Sequence, residues 1–260
     1  PSLGPTNGRE DVFEGADRRG AIRGARYGLF MSDDRRVRHP ATNVRDRADE
    51  QMARPVYLDC CATTPLVDEV REEILHFLAE DYGNAGSRTH EYGAAAKRRV
   101  STAREEVAAV VEAEPDEVIF TSGATESNNI ALLGLRRALW DSGRRHIVTT
   151  ALEHKAVLEP VARLEQEGFA VTRLTADETG VVEPAAVSEA LRDDTGLVSI
   201  MHVNNETGTV QPLQEIGAVL SGHSAYLHVD AAQGFGKELF ELQTRRIDLI
   251  SVSAHKIHGP

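Results

Sequence analysis

Five short polar clusters, each following an apolar run, hold the residue types that could do chemistry in this chain. The first is Thr121-Ser-Gly-Ala-Thr-Glu-Ser127, where small residues and hydroxyls lead into a helical pattern. A helix start leaves backbone N–H groups unpaired, so this turn suits a phosphate group. Plain helix capping by Ser122 or Thr125 is the alternative, and the lack of a Walker lysine argues against a P-loop. The second is His154, in Leu152-Glu-His-Lys155, an imidazole that could stack on a flat ring or move protons near neutral pH, or simply face solvent. The third, His202-Val-Asn-Asn-Glu206, offers Asn205 as a hydrogen-bond donor or as a loop cap. In the fourth, His228-Val-Asp-Ala-Ala-Gln233, Asp230 could pair with a protonated ring nitrogen and Gln233 could reach another ring atom, unless Asp230 only caps a following helix.

The last cluster is Ser251-Val-Ser-Ala-His-Lys-Ile-His258. The chain has four lysines, Lys97, Lys155, Lys237 and Lys256, and only Lys256 directly follows an apolar strand and a small-residue turn. A partly desolvated lysine has a lowered pKa and can form a Schiff base with an aldehyde. Singly each cluster is weak. Together they supply a phosphate cradle, a stacking ring, an acid for a ring nitrogen, hydrogen-bond donors and an amine, which are the parts of a pyridoxal 5'-phosphate (PLP) site.

Positioning these residues falls to alternating elements. Amphipathic helices are expected at Val67–Glu80, His90–Glu112, Glu126–Trp140, Val157–Glu167 and Leu213–Leu220. Strands are expected at Glu117–Thr121, His146–Thr150, Ala170–Leu174, Gly196–Val203, Tyr226–Val229 and Asp248–Val252. The alternation predicts an α/β fold, a mostly parallel sheet with helices on both faces, whose ligands bind beyond the carboxyl ends of the strands. Residues 1–54 carry 11 arginines, no lysine and 9 acidic residues without apolar periodicity, which predicts a disordered or non-native leader ahead of a folded unit at 55–260.

Composition narrows the function. A net charge of −12 argues against nucleic acid or an anionic membrane surface as a direct partner. No apolar run is long enough to span a bilayer, and the expected address is cytoplasmic. Cys60 and Cys61 are adjacent and offer neither a disulfide framework nor a metal site.

The wording of these segments resembles the NifS/IscS-type cysteine desulfurases of the class V aminotransferase family. The similarity covers Val56 to Pro260. It runs through Tyr57-Leu-Asp59 with Ala62-Thr-Thr-Pro65, Gly83-Asn84 with Ser87-Arg-x-His90, Thr121–Ser127, Glu153-His-Lys155, Met201–Glu206, His228-Val-Asp230 with Gln233, and Ser253-Ala-His-Lys256. The resemblance implies the large domain of a PLP-dependent transferase of fold type I, with the small C-terminal domain missing because both chain ends look cut. It implies that Lys256 holds the cofactor covalently, Asp230 holds the pyridine nitrogen protonated, and His154 stacks on the ring and moves protons. Asn205 and Gln233 would contact ring substituents, Gln233 near the phenolic oxygen. Thr125, Ser253 and His255 would hold the phosphate with Gly123 and Ala124. The implied activity removes sulfur from L-cysteine, giving L-alanine and an enzyme persulfide, in a homodimer that passes sulfur to an acceptor such as an iron–sulfur scaffold or a thiolation protein. The family's persulfide cysteine and carboxylate-binding arginine would lie beyond residue 260, leaving the piece inactive alone. Another class V enzyme, such as a selenocysteine lyase, and a non-catalytic fragment are the alternatives.

Overall fold

The computed structural model describes residues 55–244 and 246–260. The expectation for residues 1–54 lies outside them.

Seven-residue or longer helices and five short strands follow the expected alternation closely. They are α1 (Asp68–Ala79), α2 (Glu91–Val110), α3 (Ala124–Asp141), β1 (His146–Thr150), α4 (Lys155–Gln166), β2 (Ala170–Leu174), α5 (Pro184–Ala190), β3 (Thr195–Ser199), α6 (Leu213–Val219), β4 (Tyr226–Asp230) and β5 (Leu249–Ser251). Single 3₁₀ turns occur at Pro115–Glu117, Phe240–Leu242 and Ala254–Lys256. The strands form one sheet in the order β2-β1-β3-β4-β5, parallel at every junction. Parallel strands need both faces covered, and two apolar clusters do this. Ile147 and Leu197 point to one face, against Leu132 and Leu139 of α3 and Val157, Val161 and Leu164 of α4. Their chain neighbours Val148 and Val198 point to the other, against Val187 of α5 and Leu213 and Ile216 of α6. The two-residue side-chain period of a strand produces this division.

Chain order reverses at β1. The chain steps outward to β2 and returns to β3 on the other side, which opens a crevice above the carboxyl ends of β1 and β3. The loops that leave these ends carry most of the polar clusters.

Two expectations need correction. Glu117–Thr121 is not a strand: after the 3₁₀ turn at Pro115–Glu117 the chain is extended but unpaired among the described residues, with Ile119 and Phe120 exposed at 67% and 52%. A β-rich composition makes a strand only where a neighbour takes its hydrogen bonds. The segment after β4 is a run of turns, so Asp230 caps no helix. Helix α1 forms where its spacing places it but buries none of its residues.

Candidate active site

The carboxyl ends of β1, β3, β4 and β5 and the start of α3 surround an open cavity of about 1500 Å³. Its floor is the first turn of α3. Gly123 is the N-cap residue, at φ +148°, and no side chain caps the helix. Neither Ser122 nor Thr125 therefore takes the capping role. The hydroxyls turn elsewhere: Thr121 Oγ1 lies 2.8 Å from Ser127 Oγ. The Ser122 N–H donates to Glu126 Oε2 at 2.6 Å, which ties the turn from below. The positive end of an 18-residue helix, with its N–H groups uncapped and glycine leaving open space above them, faces the cavity.

Asp230 ends β4 and is 6% exposed. Its Oδ1 accepts the Ala232 N–H at 3.0 Å and its Oδ2 accepts Asn128 Nδ2 of α3 at 2.8 Å. Lys256 stands on the 3₁₀ turn after β5, partly buried on the same cavity wall. Desolvation holds its amine below the usual lysine range; the Asp230 carboxylate opposes this shift, and the Lys237 ammonium adds to it. His154 caps α4 through Nδ1, which accepts the Ala156 N–H at 3.1 Å and so leaves the ring's proton on Nε2 in the neutral form. The ring is exposed and lines the cavity.

The turn that carries Lys256 is stitched to the N-terminal segment. The His255 carbonyl accepts the Thr64 N–H at 2.8 Å and Thr64 Oγ1 at 2.9 Å, and the His258 N–H donates back to Thr64 Oγ1 at 2.8 Å. Gln233 Nε2 donates to the Cys61 carbonyl at 2.9 Å. Cys60 and Cys61 are both free and exposed, and Cys61 lines the cavity. Among the described residues no cluster of side chains suits a metal ion, and no helix is long and apolar enough to cross a membrane.

The profile of the aminotransferase class-V family matches residues 56–260. The chain belongs to this family. Class-V relatives include a mitochondrial cysteine desulfurase of Eremothecium gossypii, 48% identical over 207 residues, or 80% of this chain and 42% of the relative. The cysteine desulfurase IscS of Acinetobacter baumannii is 49% identical over 80% of this chain and 52% of its own length. The chain thus spans about half the length of the curated relatives it matches. Among solved structures, DndA from Streptomyces lividans is 56% identical with a TM-score of 0.71, covering 79% of this chain and 57% of that one. SspA in complex with cysteine is 38% identical with a TM-score of 0.73, covering 79% and 59%. The parallel sheet with helices on both faces is the architecture of these class-V neighbours.

For a class-V enzyme the residues singled out from sequence fall together. Gly123, Ala124, Thr125, His154, Asn205, Asp230, Gln233, Ser253, His255 and Lys256 all line the one cavity. Two of them are engaged in ways the sequence did not suggest: Asn205 Nδ2 donates to Glu206 Oε1 at 2.7 Å, and Gln233 holds the N-terminal segment. Four further residues build the site. Asn128 holds Asp230, Thr64 holds the lysine turn, and Glu153 and Asn204 tie the loop after β1 to the end of β3. Only Asn128 left a signal: it lies three and four residues before Ala131 and Leu132, on the buried stripe of α3, where a polar side chain must find a partner. The donor set fits a phosphorylated ring carrying an aldehyde. It offers an uncapped helix start for a dianion, a paired buried carboxylate for a ring nitrogen, and an amine of lowered basicity for a carbonyl.

Proposed function

We propose that the full-length protein is a PLP-dependent cysteine desulfurase, and that residues 56–260 are its N-terminal segment and part of its cofactor-binding large domain. The observation that carries this is the convergence of the Lys256 amine, the Asp230 carboxylate and the uncapped start of α3 on one cavity. When bound, PLP supplies an electron sink that labilises bonds in an attached amino acid. Lys256 binds the aldehyde, and its lowered basicity leaves more of the amine in the nucleophilic form. Asp230, buried and held by two N–H donors, would face the pyridine nitrogen and hold a proton there. Gly123, Ala124 and Thr125 would hold the phosphate at the uncapped helix start, together with Ser253 and His255. His154, fixed through Nδ1, presents its ring to the cofactor face and Nε2 for proton movement. Asn205 and Gln233 contact ring substituents after giving up their present partners.

The substrate is L-cysteine, and the products are L-alanine and an enzyme persulfide. The names of the relatives support this chemistry, and so does the solved SspA complex, which contains cysteine. The sulfur-accepting cysteine belongs to the part of the full-length protein outside these residues. Sulfur then passes to an acceptor protein such as an iron–sulfur scaffold. A homodimer and a cytoplasmic location belong to the same proposal.

Incubating the full-length protein with PLP and L-cysteine tests it. With a dithiol added to reduce the enzyme persulfide, alanine and sulfide are expected in equal amounts, together with a visible absorption band from the lysine-bound cofactor. Lys256→Ala should lose both the band and the activity. A variant that kept the band would remove Lys256 from its role.

A further inference from the structure

The crevice at the reversal of strand order holds a buried carboxyl that the chemistry above does not use. Glu153, between Leu152 and His154, is 5% exposed. Its Oε1 accepts the Met201 N–H at 2.8 Å and Thr150 Oγ1 at 3.0 Å, joining the loop after β1 to the end of β3. Its Oε2 is buried and has no partner. Asn128, which donates to Asp230, likewise has a buried Oδ1 without a partner. Only five described side-chain atoms share this condition, so two belonging to residues that act on Asp230 mark the crevice as a place short of protons.

A buried carboxyl with a bare oxygen and a neighbouring negative charge favours its protonated form. Asp230 has an N–H donor on each oxygen. Glu153 has one oxygen bare.

We propose that Glu153 is the neutral member of a carboxyl pair: a proton on Oε2 keeps a second negative charge away from Asp230 and holds the loop that carries His154 against β3. Glu153 is thus a positioning residue, acting through Asp230 and His154. Burial raises the Glu153 carboxyl to about 8; the Met201 N–H opposes this, the Asp230 charge adds to it, and the Thr150 hydroxyl opposes it. Asp230 on β4 is the one charged group that acts on it, while β1 and β3 contribute the neutral Thr150 and the Met201 backbone. The purpose assigned to the pair rests on the cofactor proposal; the protonation itself does not.

The full-length protein tests both parts separately. In the cofactor-free form, a group whose folded pKa is raised stabilises the fold below its unfolded value and loses that contribution as pH rises toward about 8. Wild type should therefore lose urea stability between about pH 6 and pH 8.5, and Glu153→Gln, permanently neutral, should lack that fall. In the loaded form, Glu153→Gln should keep wild-type PLP affinity and band position at neutral pH, whereas Glu153→Ala should lose about tenfold or more in affinity. Equal pH dependence in wild type and Glu153→Gln, or a Gln variant that binds as poorly as the Ala variant, overturns the proposal. If the Gln variant does not fold, infrared spectroscopy of the wild type decides. A protonated-carboxyl band at neutral pH that bleaches near pH 8 supports the proposal, and no such band overturns it. A positive cofactor-free titration with no PLP binding would leave the pair standing and remove the cofactor.

Discussion

At the scale of single residues, the site depends on how one buried carboxylate is supplied with donors. Asp230 ends a strand whose other residues are apolar or tied across the sheet, so water cannot satisfy it and the protein must. One donor is local, the Ala232 N–H two residues on, and the other comes from Asn128 on α3, 102 residues away in sequence. Asn128→Leu should therefore leave Oδ2 bare. The expected loss is about 1.5–3 kcal/mol of stability, as for a hydrogen bond to a charged group, together with weaker PLP binding; urea unfolding and cofactor titration measure the two. The structure brings Lys256, His154 and Asp230 to one cavity. They were legible in the sequence only together and through the family resemblance, since each taken singly had an ordinary explanation. The partners were not. Glu153 stood in plain view beside His154, but nothing in a sequence says that a glutamate after a strand turns inward and is buried.

Elements were legible to the extent that their periodicity was complete. Strands β1 and β2 match their expected limits, and α3 and α4 differ by two residues or fewer; β1, α3 and α4 each carry a buried face, while β2 buries only Leu174. Short α5 went unassigned: its seven residues bury only Val187, too little to show a period. The run at Glu117–Thr121 was misread because pairing partners are tertiary information. Within the sheet, histidine does work that periodicity cannot show. His228 Nδ1 is 2.9 Å from Ser199 Oγ and Nε2 is 3.1 Å from Ser251 Oγ, so one neutral ring bridges β3, β4 and β5. Burial pushes it down to about 4, against the pull of Asp230. His202 is also pushed down to about 4, with Gly234 packed so closely on its ring that a Cβ there would lie 2.1 Å from Nδ1. A histidine with a depressed folded pKa contributes fully above its unfolded value and loses that contribution as pH falls. Stability should thus decline from about pH 6.5 toward pH 4, by up to about 3 kcal/mol for each ring. His228→Gln should remove its share of this acid decline in urea titrations, leaving that of His202.

For the whole molecule, the decisive contrast is between the sealed sheet and the open front. Both faces of the sheet are closed by apolar clusters, yet α1 buries nothing and exposes Leu75 and Leu78 at 57% and 73%, with Tyr82 and Tyr92 nearby in the chain at 70% and 58%. Exposed apolar residues grouped this way fit a surface covered by a second copy. If the proposed homodimer uses this face, Leu75→Glu with Leu78→Glu should shift the full-length protein from dimer to monomer in sedimentation while leaving the helical circular dichroism intact. An unchanged sedimentation coefficient would place the contact elsewhere. The closures between Thr64 and His255 add a constraint of a different kind, since they join positions 191 residues apart. During synthesis the threonine leaves the ribosome long before the turn it must hold. The sheet from β1 to β4 can form while the nascent chain is still growing, but the pocket for the amine cannot close until the last of these residues has emerged. On the proposed function, capture of the cofactor would therefore wait until both partners of this closure had been made.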